Sequence, residues 1–325
     1  MATKVVNRTP SKAWQPYAAL IIGLVAVSSS SVLIRFAQNE NAPSLLISWW
    51  RTTLAALILT PIIFSRYRQA IRALKPAEIG LAMLSGAFLA AHFATWITSL
   101  EYTSVLISAT LVTTNPLMVA VLTPLLLREK LSLTTLGAIL LGLVGGIIIS
   151  VGGSAGDAPK QDAPALGALL ALAGALAVAL YYIIGRRLRS KLEAIPYIWL
   201  TYSSASIVLL VVLFISGTPI AGQTGNAYFW MTLIGLIPQL IGHSSFNYAL
   251  GYLSAALVSL TVQGEPIIST ILAIMLFGAS EAPQPIQIVG SVLIIMALVI
   301  ASRSEARAHA EAQKQDQEVA AGVQL

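Results

Sequence analysis

The chain alternates long apolar runs with short polar joins. A helix that crosses a bilayer needs about 20 consecutive apolar residues. Ten stretches meet that need: 15–36, 44–64, 77–99, 104–127, 133–151, 165–185, 196–216, 228–249, 254–277 and 285–301. The joins carry breakers such as Asn39-Glu-Asn-Ala-Pro43, Gly152-Gly-Ser-Ala-Gly156 and Gly217-Thr-Pro219. After Arg303 the chain is rich in alanine, glutamine and charge, which predicts either a frayed helical extension or disorder. The pattern predicts an all-α membrane protein with ten transmembrane helices.

One stretch occurs twice. Tyr102-Thr-Ser-Val-Leu-Ile-Ser-Ala-Thr-Leu-Val-Thr-Thr-Asn115-Pro116 returns 150 residues later as Tyr252-Leu-Ser-Ala-Ala-Leu-Val-Ser-Leu-Thr-Val-Gln-Gly-Glu265-Pro266. Each copy carries a polar residue and a proline about halfway along an apolar segment. Proline removes one backbone donor, so Pro116 and Pro266 predict kinks in the fourth and ninth helices. Five helices separate the copies, and five is odd, so the second half is upside down relative to the first. Two inverted five-helix repeats are a recurrent transporter design, with the solute site near the midplane where the repeats meet. The expected organisation is a cytoplasmic segment over 1–14, a first repeat over 15–151, an external linker over 152–164, a second repeat over 165–301 and a cytoplasmic tail over 302–325.

Charge sets the orientation. One set of loops holds Lys4, Arg8, Lys12, Arg66, Arg68, Arg72, Lys75, Arg128, Lys130, Arg186, Arg187, Arg189, Lys191, Arg303, Arg307 and Lys314, which is 16 of the 19 basic residues. The opposite loops hold only Lys160, beside Glu40, Glu101, Asp157, Asp162 and Glu281. Basic loops face the cytoplasm, so the N and C termini are both predicted to be cytoplasmic in a multi-pass protein of the cell inner (plasma) membrane. The net charge of +6 is therefore read as topology charge, with no nucleic-acid partner expected. Lys4, Arg8 and Lys12 ahead of an apolar run ending in Ala26-Val-Ser-Ser resemble a signal peptide, but the same run fits the repeat and is read as the first span.

Composition narrows the chemistry. Hydrophobic residues make up 57% of the chain and charged residues 10%, where soluble domains carry about 25%. There are no cysteines, so disulfides and thiolate chemistry are out. No P-loop and no Gly-x-Gly-x-x-Gly unit is present, so the chain carries no nucleotide site to drive transport, and no cofactor is expected. No HxxxH or HExxH spacing suggests a metal. Gly242-His-Ser244-Ser leaves an intramembrane hydrolase using Ser244 and a histidine as the alternative of a different class, although it is not the Gly-x-Ser-x-Gly elbow.

Polar residues inside the spans are the candidate site, because they are costly in lipid and face the protein interior. Glu265 lies eleven residues into its helix, about 16 Å at 1.5 Å per residue and so near the midplane. It is the candidate for proton coupling; its repeat partner Asn115 cannot titrate. Ser259, Gln263 and Pro266 share one face of the ninth helix, and Ser108, Leu111 and Asn115 one face of the fourth. His92, Trp96 and Ser99 form a stripe in the third helix, and Gln239, His243 and Asn247 one in the eighth. The expected substrate-binding residues are His92, Trp96, Asn115, Tyr182, Gln239, His243, Asn247 and Gln263, with Pro116 and Pro266 as gating kinks. Ser28 to Ser31 with Arg35 suit an outward vestibule or close packing. Arg51, seven residues into the second helix, is read as structural. Gly142-Leu-Val-Gly-Gly146 suits tight helix packing within or between chains, and the expected assembly is a monomer or homodimer.

In order, these features resemble the drug/metabolite transporter superfamily in its EamA type. The residues that carry the resemblance are Trp50-Arg51, Thr114-Asn115-Pro116, Leu127-Arg-Glu129-Lys-Leu131, Gly137, Gly264-Glu265-Pro266 and Phe277-Gly-Ala-Ser-Glu281. The spacing before Glu281 departs from the usual Leu-Gly-Glu ending. The resemblance implies export of a small polar metabolite, amino acids first, by alternating access, coupled to protons or facilitative; drugs or cationic amphiphiles are the other substrates it implies. The cavity is expected between helices 3, 4, 8 and 9, with helices 1 and 6 at its sides.

Overall fold

The computed structural model describes residues 12–102, 108, 111–127, 131–152, 163–277 and 283–322. The expected signatures at Arg128-Glu129-Lys130 and Glu281, the loop charges Asp157, Lys160 and Asp162, and most of the 152–164 linker lie outside the described residues. Ten helical segments follow one another: α1 (Gln15–Asn39), α2 (Ser44–Arg72), α3 (Pro76–Tyr102), α4 (Asn115–Leu126), α5 (Leu133–Gly152), α6 (Pro164–Arg189), α7 (Ala194–Ser216), α8 (Gly225–Ile234, Gly235–His243 and Ser244–Ala249 in sequence), α9 (Ala255–Val262 and Glu265–Phe277) and α10 (Pro285–Gly322). The chain after Arg303 is thus helical as far as Gly322.

Six of these helices, α1, α2, α3, α6, α7 and α10, are long and apolar enough to cross a membrane. Their outward faces are apolar, as a lipid solvent requires; Ile21, Leu57, Ile207, Phe214 and Ile295 are all exposed. Three others are interrupted, each at a proline. Around Pro238 in α8 the winding widens to a π-helical stretch over Gly235–His243. In α4 and α9 the interruption is the doubled motif.

The two copies break in the same way. Thr114 N donates to Leu111 O (3.2 Å) and Gly264 N to Thr261 O (3.0 Å), 150 residues apart. Leu117 N donates to Thr114 O (3.0 Å) and Ile267 N to Gly264 O (3.1 Å). Each chain therefore tightens to i→i+3 bonding just before its proline, and a new helix starts at Asn115 and at Glu265. The sequence reading expected a kinked continuous helix; the structure has a turn between two helical pieces. The physical reason is proline's missing N–H, which removes the donor that Val112 O and Val262 O would take in an unbroken helix.

The repeats pack as an inverted pair. Helix α3 lies along α6 as α8 lies along α1, and α4 meets α6 as α9 meets α1, while α2 pairs with α7 and α5 with α10. Repeat partners touch directly at the centre, where Gln263 Nε2 donates to Thr113 O (3.2 Å), again 150 residues apart. Between α5 and α10 the backbones meet at Gly145 and Gly290, where a methyl group on either would stand 2.6 Å from the other's carbonyl oxygen. Gly142, the start of the expected glycine face, packs against Gln263 and Leu260 within the same chain.

Candidate functional site

A small cavity of about 60 Å³ sits where the broken helices meet. Its lining comes from α1 (Val27, Ser30), α2 (Arg51), α3 (His92, Trp96), the approach to and start of α4 (Val112, Thr113, Asn115), α6 (Val178, Tyr182), α8 (His243, Phe246) and α9 (Val262, Glu265). Both halves contribute, and α5, α7 and α10 do not.

The starts of the two half-helices face the cavity. Asn115 is buried, and its Oδ1 has no partner among the described residues. Glu265 accepts a hydrogen bond from Ser31 Oγ (3.3 Å), which ties the serine run of α1 to the carboxyl. Ser28 O accepts from Ser269 Oγ (2.8 Å), which ties the same run to α9. Arg35, by contrast, is exposed.

Each histidine is held differently. His92 Nδ1 donates to Gly174 O (2.9 Å), a bond made possible because Gly174 lets α6 approach α3; a methyl there would come within 3.1 Å of Thr95 Oγ1. A carbonyl oxygen only accepts, so Nδ1 carries the hydrogen and the neutral ring keeps Nε2 as an acceptor. The ring stacks on Trp96, with centroids 5.8 Å apart and planes 6° from parallel. His243 stands edge-on to Phe93 at 5.2 Å, and its Nδ1 has no partner among the described residues.

Of the residues expected from sequence, the cavity gathers His92, Trp96, Asn115, Tyr182, His243 and Glu265. Three do not line it. Gln239 is fully buried behind it, where Oε1 accepts from Arg51 Nε (2.9 Å). Gln263 turns instead to Thr113 O, capping a carbonyl freed by the break in α4. Asn247 is buried further along α8, and its backbone oxygen accepts from Arg189 Nε (2.9 Å). Pro116 is buried one residue past Asn115, and Pro266 follows Glu265 in the first turn of its helix.

Arg51, expected to be structural, lines the cavity. Its guanidinium is 1% exposed, bonded to Gln239 and, at 3.5 Å, to Ser30 Oγ, and it lies 4.0 Å above the Phe93 ring. The signal was present: a charged side chain inside a span is by default functional, and Ser48, Arg51, Thr52 and Ala55 mark the buried face of α2. Phe246, Ser30 and the four valines are ordinary apolar or small residues whose role shows only once the helices are assembled. Ser244, the nucleophile of the hydrolase alternative, lies outside the cavity, and its hydroxyl pairs with Tyr202 Oη (3.2 Å); among the described residues no histidine is bonded to it.

The described residues include no group of three or more metal-ligating side chains. What the site offers is a mostly apolar pocket that holds one cation, one carboxyl, two imidazoles and an amide among aromatic rings and valines.

Comparison with known proteins agrees with this architecture. A crystal structure 18% identical in sequence superposes with a TM-score of 0.71, covering 90% of this chain and 98% of its own. An uncharacterized transporter, YyaM of Bacillus subtilis, is 22% identical over 275 residues, which is 83% of this chain and 88% of that protein. An uncharacterized transporter of Clostridium kluyveri is 24% identical over 212 residues, 65% of this chain and 68% of its own. A riboflavin transporter of Brucella anthropi is 26% identical over 131 residues, 40% of this chain and 45% of that protein. The EamA-like transporter family matches residues 14–151 and 165–303, one match per repeat. This chain is a multi-pass membrane transporter of the EamA family, within the drug/metabolite transporter superfamily.

Proposed function

We propose that the chain exports small polar metabolites, with amino acids the leading class, by alternating access around the midplane cavity. The observation that carries this reading is the lining itself: one enclosed space holds Arg51 and Glu265 together with neutral hydrogen-bonding groups. A solute that bears both signs of charge matches such a space better than a large lipophilic cation. The pocket is fed by two discontinuous helices, and such breaks mark solute sites in transporters built from inverted repeats. The protein acts as a carrier in the inner membrane and not as a hydrolase, with both termini cytoplasmic.

Glu265 is the group that can couple this movement to protons. A buried carboxyl is costly to keep charged without a partner, so loading and release of solute would be accompanied by loss and gain of its proton. Facilitated movement down the solute gradient is the competing mode. Proteoliposome uptake with and without an imposed pH gradient separates the two. Gradient-stimulated uptake in the wild type, lost in Glu265→Gln while gradient-free exchange survives, is the expected result. Equal gradient stimulation in Glu265→Gln would remove the proton role.

A further inference from the structure

We propose that Arg51 is the anchor for the transported solute's carboxylate, and that Gln239 holds the guanidinium in place until the solute arrives. The proposal rests on the transport reading above and adds to it the residue that selects the substrate class.

Three observations support it. First, Arg51 is a buried cation whose contacts are all neutral: Gln239 Oε1, Ser30 Oγ and the face of Phe93. Arginine has five N–H donors in a planar fork that fits a carboxylate bidentately. Two of its nitrogens, Nε and Nη1, are engaged by these contacts, the second at the 3.5 Å limit. Among the described residues no carboxylate is in direct contact with it. A buried charge is stabilised chiefly by a hydrogen-bonded partner of opposite sign, and the cavity is where such a partner can enter. Second, the same cavity holds polar atoms without protein partners, Asn115 Oδ1 and His243 Nδ1, on residues 4% and 7% exposed. Third, Gln239 Nε2 is also unpartnered. Gln239 is therefore fixed chiefly by its acceptor bond to Arg51, as expected of a side chain that positions the guanidinium without neutralising it.

The rest of the lining decides what carries the carboxylate. A simple carboxylic acid would satisfy Arg51 but bring like charge to Glu265. A phosphate monoester would do so more strongly, with nearly two negative charges. An amine alone would bring a second cation beside Arg51. A zwitterion leaves no charge unmatched: its carboxylate lies on Arg51, and its ammonium is left to Glu265, Asn115 Oδ1 and the free nitrogen of His92.

The test is competition in a counterflow assay with the full chain in proteoliposomes, using radiolabelled leucine. The competitors are leucine, isoamylamine (no carboxylate), isocaproate (no ammonium) and glycerol phosphate. In the wild type, leucine is expected to compete at least about tenfold more strongly than any of the other three. In Arg51→Gln that advantage over isoamylamine is expected to vanish. Arg51→Lys should recover part of it, because an ammonium keeps the charge but loses the bidentate fork. Gln239→Glu, which gives Arg51 a resident carboxylate, should weaken leucine competition about tenfold or more while the protein stays folded by thermal shift; it tests the anchor even if Arg51→Gln does not fold. Arg35→Gln, on an exposed arginine, should behave as wild type. Undiminished discrimination against isoamylamine in Arg51→Gln, or undiminished leucine competition in Gln239→Glu, would overturn the anchor and leave the transport reading standing. A wild-type protein that exchanges glycerol phosphate but not leucine would overturn the carboxylate assignment. Exchange of no panel member would overturn the amino-acid export proposed above.

Discussion

At the residue scale the chain places few ionisable side chains in the membrane, and those at the cavity have neighbours that limit their cost. Glu265 has Ser31, Arg51 has Gln239 and Phe93, and His92 has the Gly174 carbonyl. Each partner lies on another helix, so the polar contacts also set helix register. Loss of the His92 bond illustrates this: His92→Phe should leave Gly174 O without its side-chain donor while keeping an aromatic ring beside Trp96. The expected cost is about 1–3 kcal/mol, read as a lower thermal midpoint in detergent, with leucine binding weakened; an unchanged midpoint would show that the bond contributes little. All six cavity-lining candidates were legible as polar or aromatic residues inside the spans. Gln239, Asn247 and Gln263 have the same residue types on the same helices but do not line the cavity. What they touch depends on contacts across helices, such as Gln263 with Thr113, that no period in the sequence encodes. Arg51 reads from sequence as structural for the same reason: the Gln239 and Phe93 contacts that hold it at the cavity come from other helices.

At the element scale the informative feature is the break in α4 and α9. The doubled Asn-Pro and Glu-Pro motif was legible as a backbone interruption. The tightened turn, with Val112 O and Val262 O freed into the cavity lining, was not legible, because a kinked helix and a broken one share the same sequence signature. Pro116→Ala and Pro266→Ala restore an N–H that can close an unbroken helix. Proline is less favourable than alanine by about 3 kcal/mol in a helix interior, and the break already relieves part of that. Both variants should therefore hold or raise thermal stability. Counterflow should slow several-fold with little change in the half-saturating leucine concentration, if the break is where the helices move. Full-rate exchange in both would assign the prolines to packing alone. The pairing of α5 with α10 behaves differently. Gly290→Leu would drive a side chain against the Gly145 carbonyl, at a cost of about 1–3 kcal/mol, read as a lower unfolding temperature; the cavity, which these helices do not line, should keep its substrate preference.

At the scale of the whole molecule, the odd number of helices per repeat makes the halves antiparallel and brings the two broken helices together at the centre. The apolar runs and the 150-residue repeat made this architecture legible, since lipid allows only a narrow set of spanning structures. Orientation follows from basic loops and predicts opposite exposure for Ser190, between α6 and α7, and Ala221, between α7 and α8; both are exposed in the structure. The chain has no cysteine of its own, so Ser190→Cys and Ala221→Cys each give a single label site. A membrane-impermeant maleimide on intact cells should label Ala221→Cys and spare Ser190→Cys; the reverse pattern would invert the topology.

The claim on which the rest depends is that solute crosses through the cavity between the repeats. Val178 lines it from α6 and is apolar and buried, so Val178→Phe fills space without adding or removing a charge or a hydrogen-bonding group. Counterflow of radiolabelled leucine in proteoliposomes is the direct measurement, with folding checked by thermal shift. Saturable exchange by the wild type, reduced at least about tenfold in a folded Val178→Phe, is the predicted result. Undiminished exchange in that variant would contradict the account.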